Sequence, residues 1–201
     1  MIDHILRSPK EQVLRPLAKR LADLEPTSVT LLALGIGLGA VVALIFKLNA
    51  LALGLWLLNR LLDGLDGELA RLTGKQTDLG GYLDILVDYT VYAAIPITLA
   101  LTNPSPLNVI AIVTLLGFFY LNTASWMYLA ALLEKRNLGS SAQNERTSIT
   151  MPTGLIEGAE TVVFYCLFIV FPYYLATLFF IMSGLLLITT VQRLRWAFKH
   201  L

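Results

Sequence analysis

Asp63, Asp66, Asp84 and Asp88 are the residues of this sequence whose type and spacing could support chemistry together. On a helix of about 100° per residue, Asp66 falls about 60° from Asp63, while Asn59, Gly67 and Ala70 lie within about 40° of it, so all five share one face. Asp84 and Asp88 are four apart and share a face of the next helix, with Gly80 one turn earlier. The polar segment LTGKQTDL between the two motif halves is short. It favours an antiparallel helix pair in which four carboxylates converge. Like charges a few ångströms apart cannot all stay ionised unaided, and a hard divalent cation resolves the conflict. Oxygen-only ligands point to Mg²⁺ or Mn²⁺, and a pair of ions suits phosphoryl chemistry. The chain's two histidines, His4 and His200, lie at its termini, and its single cysteine, Cys166, sits in an apolar run with no intrachain disulfide possible.

The surroundings make this cluster costly. Of the 201 residues, 56% are hydrophobic and only 14% charged, with a mean hydropathy of +0.69, the composition of an integral membrane domain. Six stretches are long enough to cross about 30 Å of hydrocarbon as helix. They run 28–46, 50–72, 80–102, 107–133, 153–171 and 173–194, separated by polar or proline-containing connections. The expected fold is therefore an all-α membrane protein with six transmembrane helices. Residues 28–201 form that domain, and 1–27 form an N-terminal interfacial amphipathic helix with Val13, Leu14, Leu17 and Leu21 on one face and Arg15, Lys19 and Arg20 beside it. No basic cleavable leader precedes the first apolar run, so the N-terminus is expected to be retained.

Charge sets the orientation. With six spans, every one of the 15 basic residues except Lys47 and Arg60 falls on one side, including Arg71, Lys75, Arg146, Arg193 and Arg195. That side is expected to be cytoplasmic, with both termini and the acidic cluster toward it. A carboxylate near the bilayer centre costs roughly 2.5–3.5 kcal/mol even on a lenient scale, so the cluster needs a function or a partner. Gly67, Ala70, Gly80 and Gly81 would let phosphates or a ribose approach the backbone, and Arg71 could hold a phosphate as a bidentate donor. Glu68, about 140° from Asp63, is expected to face elsewhere, and Asp78 to be solvated or to cap a helix.

At these residues the sequence resembles the class I CDP-alcohol phosphotransferases (CDP-alcohol phosphatidyltransferases). Their signature is D-x-x-D-G-x-x-A-R, eight residues, then G-x-x-x-D-x-x-x-D. Asp63, Asp66, Gly67, Ala70, Arg71, Gly80, Asp84 and Asp88 match it without gap or substitution. The "PTSVT" before the first span is similar to the family's P-N-x-I-T, with Thr27 where asparagine is usual. The resemblance implies Mg²⁺- or Mn²⁺-dependent transfer of a substituted phosphate from a CDP-linked donor, CDP-diacylglycerol, to an alcohol, with release of CMP, in phospholipid biosynthesis. It implies that Asp63, Asp66, Asp84 and Asp88 hold two metal ions, and that Asp84 and Asp88 are catalytic, Asp88 as general base. It further implies that Asp66, Gly67, Ala70, Arg71 and Gly80 bind the cytidine diphosphate, and that the protein is a homodimer in a bacterial inner membrane. No nucleic-acid partner is expected.

The acceptor is less legible. "GLIEGAET" resembles a bacterial branch of the family. It places Glu157, Glu160, Thr161 and Gly154 on one face at the start of the fifth span, and carboxylates entering a bilayer should face a polar cavity. Glu157, Glu160 and Arg146 are thus candidate acceptor-binding residues, favouring a polyol, an amino alcohol or a hydroxyl-bearing lipid, although the two glutamates could instead pair with arginines such as Arg193 or Arg60. Asn122, Thr123 and Ser125 are expected to make interhelical or backbone hydrogen bonds, and Gly35 and Gly39 to form a packing face. An intramembrane cation transporter is the competing class, since carboxylates also line ion paths. The clustering of all four aspartates toward one side, and the absence of repeated, interrupted helices, disfavour it.

Overall fold

Local signals in the sequence set most helix boundaries. The structure, a computed structural model, describes residues 14–138 and 154–201, which contain helices and no strand. Residues 14–20 are helical (α1), followed by α2 (Pro26–Ile45), α3 (Asn49–Thr73) and α4 (Asp78–Thr102). Next come α5 (Pro106–Lys135), α6 (Gly158–Val170), a 3₁₀ turn (Pro172–Tyr174) and α7 (Leu175–His200). Pro26 and Pro106 open α2 and α5, where a missing N–H costs nothing. Gly74 closes α3 in the left-handed region (φ 67°). Thr77 caps α4 by accepting from the Gly80 amide at 3.0 Å, which leaves Asp78 in the first turn beside the positive end of the helix dipole.

Among the described residues, four stretches are long and apolar enough to cross a membrane: α2, α4, α5 and Pro172–His200. The chain is an all-helical integral membrane protein. The other two expected spans also coincide with helices. However, α3 carries the charged motif in its C-terminal half, and α6 has 13 residues. The fifth span, expected from residue 153, begins as helix only at Gly158, because Glu157 is an extended N-cap.

Helix α2 packs on both α3 and α4, α5 packs chiefly on α7, and α6 touches α3, α4 and α7. Trp56, Tyr165, Phe168 and Phe179 fill the core without exposure, and Trp56 stacks on Tyr165 at 5.0 Å. A smaller cluster joins Leu14 and Ala18 of α1 to Val29, Leu65 and Leu69, so the apolar face of α1 covers the ends of α2 and α3 near the motif.

Helices α3 and α4, joined by the short polar connection, pack on each other little; α2 backs both of them, and Arg60 of α3 reaches Asp88 of α4. Of the two glycines expected to form a packing face, Gly39 does so, with a Cβ there 3.6 Å from Leu55 Cδ1, whereas a Cβ at Gly35 would have no atom of the described residues within 4 Å. The close approach is at Gly37, where a Cβ would lie 2.7 Å from Val91 Cγ2 and 3.0 Å from Asn59 Nδ2. The bare backbone of Gly37 lets α2 seat itself against α3 and α4 at once.

Candidate active site

The four motif aspartates meet at the end of the bundle where α3 stops and α4 starts. Asp66 is buried and accepts a 2.6 Å hydrogen bond on Oδ2 from Thr30 Oγ1 of α2. Asp63 and Asp88 are about one-fifth exposed, both face the Arg60 guanidinium across the α3–α4 gap, and they are close enough to interact electrostatically. Asp84 is close enough to interact electrostatically with both Asp63 and Asp66. The motif residues are therefore neighbours in space, as their spacing requires.

A buried arginine stands among them that the motif does not contain. Arg60, one turn before Asp63, reaches across to Asp88, with Nη2 2.7 Å from Oδ1, and its Nη1 lies 3.6 Å from Asp63 Oδ2. Nη1 also donates to the Tyr92 hydroxyl at 2.8 Å, and Nε donates to Asn59 Oδ1 at 2.8 Å. The guanidinium lies over the rings of Trp56 (4.8 Å) and Tyr92 (4.9 Å). Asn59 is itself anchored by donating to Ala33 O at 2.8 Å. Trp56, Asn59, Arg60 and Asp63 recur at helical spacing on one face of α3, a signal that could have exposed Arg60 as part of the site.

The donor set suits a divalent cation in its chemistry: four carboxylates, with no nitrogen or sulfur ligand among them, are the ligands of a hard ion. Among the described residues, however, no three acidic, histidine or cysteine side chains are gathered into a closed cage. Asp88 and Asp63 both face the Arg60 guanidinium.

The nucleotide candidates lie alongside. Arg71, about a third exposed, pairs with Glu68 at 3.0 Å. Gly67 faces that arginine, and a Cβ there would come within 3.4 Å of Arg71 Nη1. Gly80 lies in the first turn of α4, where its amide binds the Thr77 cap. Ala70, whose carbonyl accepts from the Gly74 amide, completes the row.

The acceptor candidates have a second role. Glu157 and Glu160 form a capping box at the start of α6: the Glu157 amide donates to Glu160 Oε2 at 3.2 Å and the Glu160 amide donates to the Glu157 side chain, whose Oε1 also accepts from the Gly154 amide at 2.9 Å. Arg146 lies outside the described residues. Arg193, 2% exposed, donates to Asn122 Oδ1 at 2.8 Å and interacts with Glu157, one of the arginine pairings the sequence left open. Thr123 and the Trp126 indole both donate to the Tyr89 hydroxyl, at 3.1 and 3.3 Å. Asn122 and Thr123 thus make interhelical bonds, while Ser125 donates to the backbone of Asn122.

Three comparisons place the chain among known proteins. The family described as CDP-alcohol phosphatidyltransferase matches residues 24–194. The inner membrane protein YnjF of Escherichia coli K12 is 36% identical over 168 residues, covering 84% of this chain and 80% of its own. The crystal structure of Mycobacterium tuberculosis phosphatidylinositol phosphate synthase (PgsA1) with CDP-DAG bound has the same fold. It superposes with a TM-score of 0.68 and 24% identity over 92% of each chain.

Proposed function

Since the chain belongs to the CDP-alcohol phosphatidyltransferase family, we propose that it transfers a phosphatidyl group from CDP-diacylglycerol to an alcohol and releases CMP, in phospholipid synthesis. The observation that carries this reading is the meeting of Asp63, Asp66, Asp84 and Asp88 across a gap between α3 and α4, at one end of an apolar bundle. Such a gap lets a nucleotide head enter from the cytoplasm while the acyl chains stay in lipid. The positive-inside bias supports the same orientation, with six spans, both termini cytoplasmic and α1 along the membrane surface of a bacterial inner membrane.

Asp63, Asp66, Asp84 and Asp88 would hold two Mg²⁺ or Mn²⁺ ions, which when bound offset charge on the diphosphate oxygens and on the departing CMP. Thr30 fixes the Asp66 carboxylate by its hydrogen bond. Gly67, Ala70, Arg71 and Gly80 receive the cytidine diphosphate, with Arg71 exchanging part of its pairing with Glu68 for phosphate oxygens. Asp88 accepts the proton of the acceptor hydroxyl as that oxygen bonds to the lipid-side phosphorus. The bond from this phosphorus to the bridging oxygen breaks, and the electron pair leaves with CMP.

The acceptor is proposed to be a polyol, an amino alcohol or a hydroxyl-bearing lipid, recognised near Glu157 and Glu160, with Arg146 as a further candidate. Family resemblance supports a homodimer. Purified protein supplied with CDP-diacylglycerol, a divalent cation and a panel of alcohols tests the reading. It predicts CMP release that depends on one class of alcohol. Cation flux without CMP release would favour transport instead.

A further inference from the structure

Arg60 is a permanent positive charge inside an apolar bundle, and it contacts two of the four carboxylates that would bind divalent ions. Its remaining contacts do not involve those acids. The Asn59 carbonyl and the Trp56 face on α3, with the hydroxyl and ring face of Tyr92 on α4, together hold the guanidinium in place. Trp56 and Asn59 are fully buried, so this seat is rigid. The guanidinium therefore has two sets of partners, one fixed and one composed of proposed cation ligands.

We propose that Arg60 is a positioning residue that competes with divalent cations for Asp63 and Asp88: it keeps Asp88 aimed across the α3–α4 gap and sets the cation affinity of the site. The inference rests on the metal reading above and adds to it. A fixed charge on the same carboxylate oxygens repels an incoming cation at short range and in low dielectric, where such terms are large. When the cation takes those oxygens, Arg60 withdraws onto Trp56, Tyr92 and Asn59 without losing its seat. The aromatic faces make that retreat tolerable for a buried charge.

Mn²⁺ binding to the purified full-length protein, followed by loss of the free-ion electron paramagnetic resonance signal, tests this without any substrate. Arg60→Gln, which can still hydrogen-bond to Asn59 and Tyr92, should bind Mn²⁺ at least tenfold tighter than wild type, while Arg60→Lys should stay within threefold. Should Arg60→Gln fail to fold, Mg²⁺ titration of a Trp126→Phe, Trp196→Phe protein, with Trp56 as sole fluorophore, reads guanidinium movement directly. A saturable change in Trp56 emission is expected, and none overturns the inference. Wild-type protein that binds Mn²⁺, with Arg60→Gln binding no tighter, overturns the inference alone. Wild-type protein that binds no Mn²⁺ overturns the metal reading and this inference with it.

Discussion

Thr30 Oγ1 donates to Asp66 Oδ2 at 2.6 Å, linking the first long helix to a buried carboxylate 36 residues away. The donor comes from α2, the helix that backs both halves of the motif. Thr30→Val removes the hydroxyl at nearly constant volume and leaves a buried carboxylate oxygen short of a partner. Stability should fall by about 1–3 kcal/mol, with CMP release falling as well, and Thr30→Ser should restore both. Thermal unfolding in detergent and the CMP assay check the pair.

Gly37 and Gly35 make a sharper contrast, since they differ by two residues and belong to the same helix. A Cβ at Gly37 would collide with Val91 and press on Asn59, whereas one at Gly35 meets nothing. Gly37→Ala should cost roughly 1–3 kcal/mol by overpacking, while Gly35→Ala should be near neutral. Equal unfolding temperatures for the two variants would refute the close approach.

Chelation should abolish CMP release, and Mg²⁺ or Mn²⁺ should restore it. The four carboxylates offer only oxygen, so these hard cations should be favoured over softer ones. Activity that persists in excess chelator would remove the metal from the reaction.

Glu157 and Glu160 carry two roles that substitution can separate. Glutamine retains the carbonyl acceptor a capping box needs, so Glu157→Gln and Glu160→Gln should lower stability by less than about 1 kcal/mol. If the carboxylates also meet the acceptor, KM for the alcohol should rise several-fold with KM for CDP-diacylglycerol unchanged. Unchanged acceptor KM in both variants assigns them to the helix cap alone.

The motif was legible in the sequence because its information is local: the spacing of Asp63 to Asp66 and of Asp84 to Asp88 fixes a shared face on any helix. The partners Thr30, Arg60 and Tyr92 were not legible, because each acts across helices and one sequence carries no record of pairing. Arg60 was visible as a charge within a span and as an optional partner for Glu157 or Glu160, whereas its ion pairs are with Asp63 and Asp88; its place one turn before Asp63 could have drawn it in. The separation of α3 and α4 was not legible for a similar reason: a short connection fixes chain direction but not distance, and α2 packs against both helices at the bare backbone of Gly37. Glu157 and Glu160 were read as cavity-facing because two carboxylates at a membrane edge demand a polar surrounding; backbone amides at a helix start supply one too.

Asp88 is where proton transfer and phosphoryl transfer meet, so Asp88→Asn separates a reaction centre from a set of buried acids most cleanly. Single-turnover CMP release from CDP-diacylglycerol, measured with the cognate alcohol at saturating Mg²⁺, should fall by about 10²–10⁴-fold, with the unfolding temperature and donor binding preserved. Asp88→Asn protein that is folded, binds donor and releases CMP within tenfold of wild type would contradict a reaction centre built on these four aspartates.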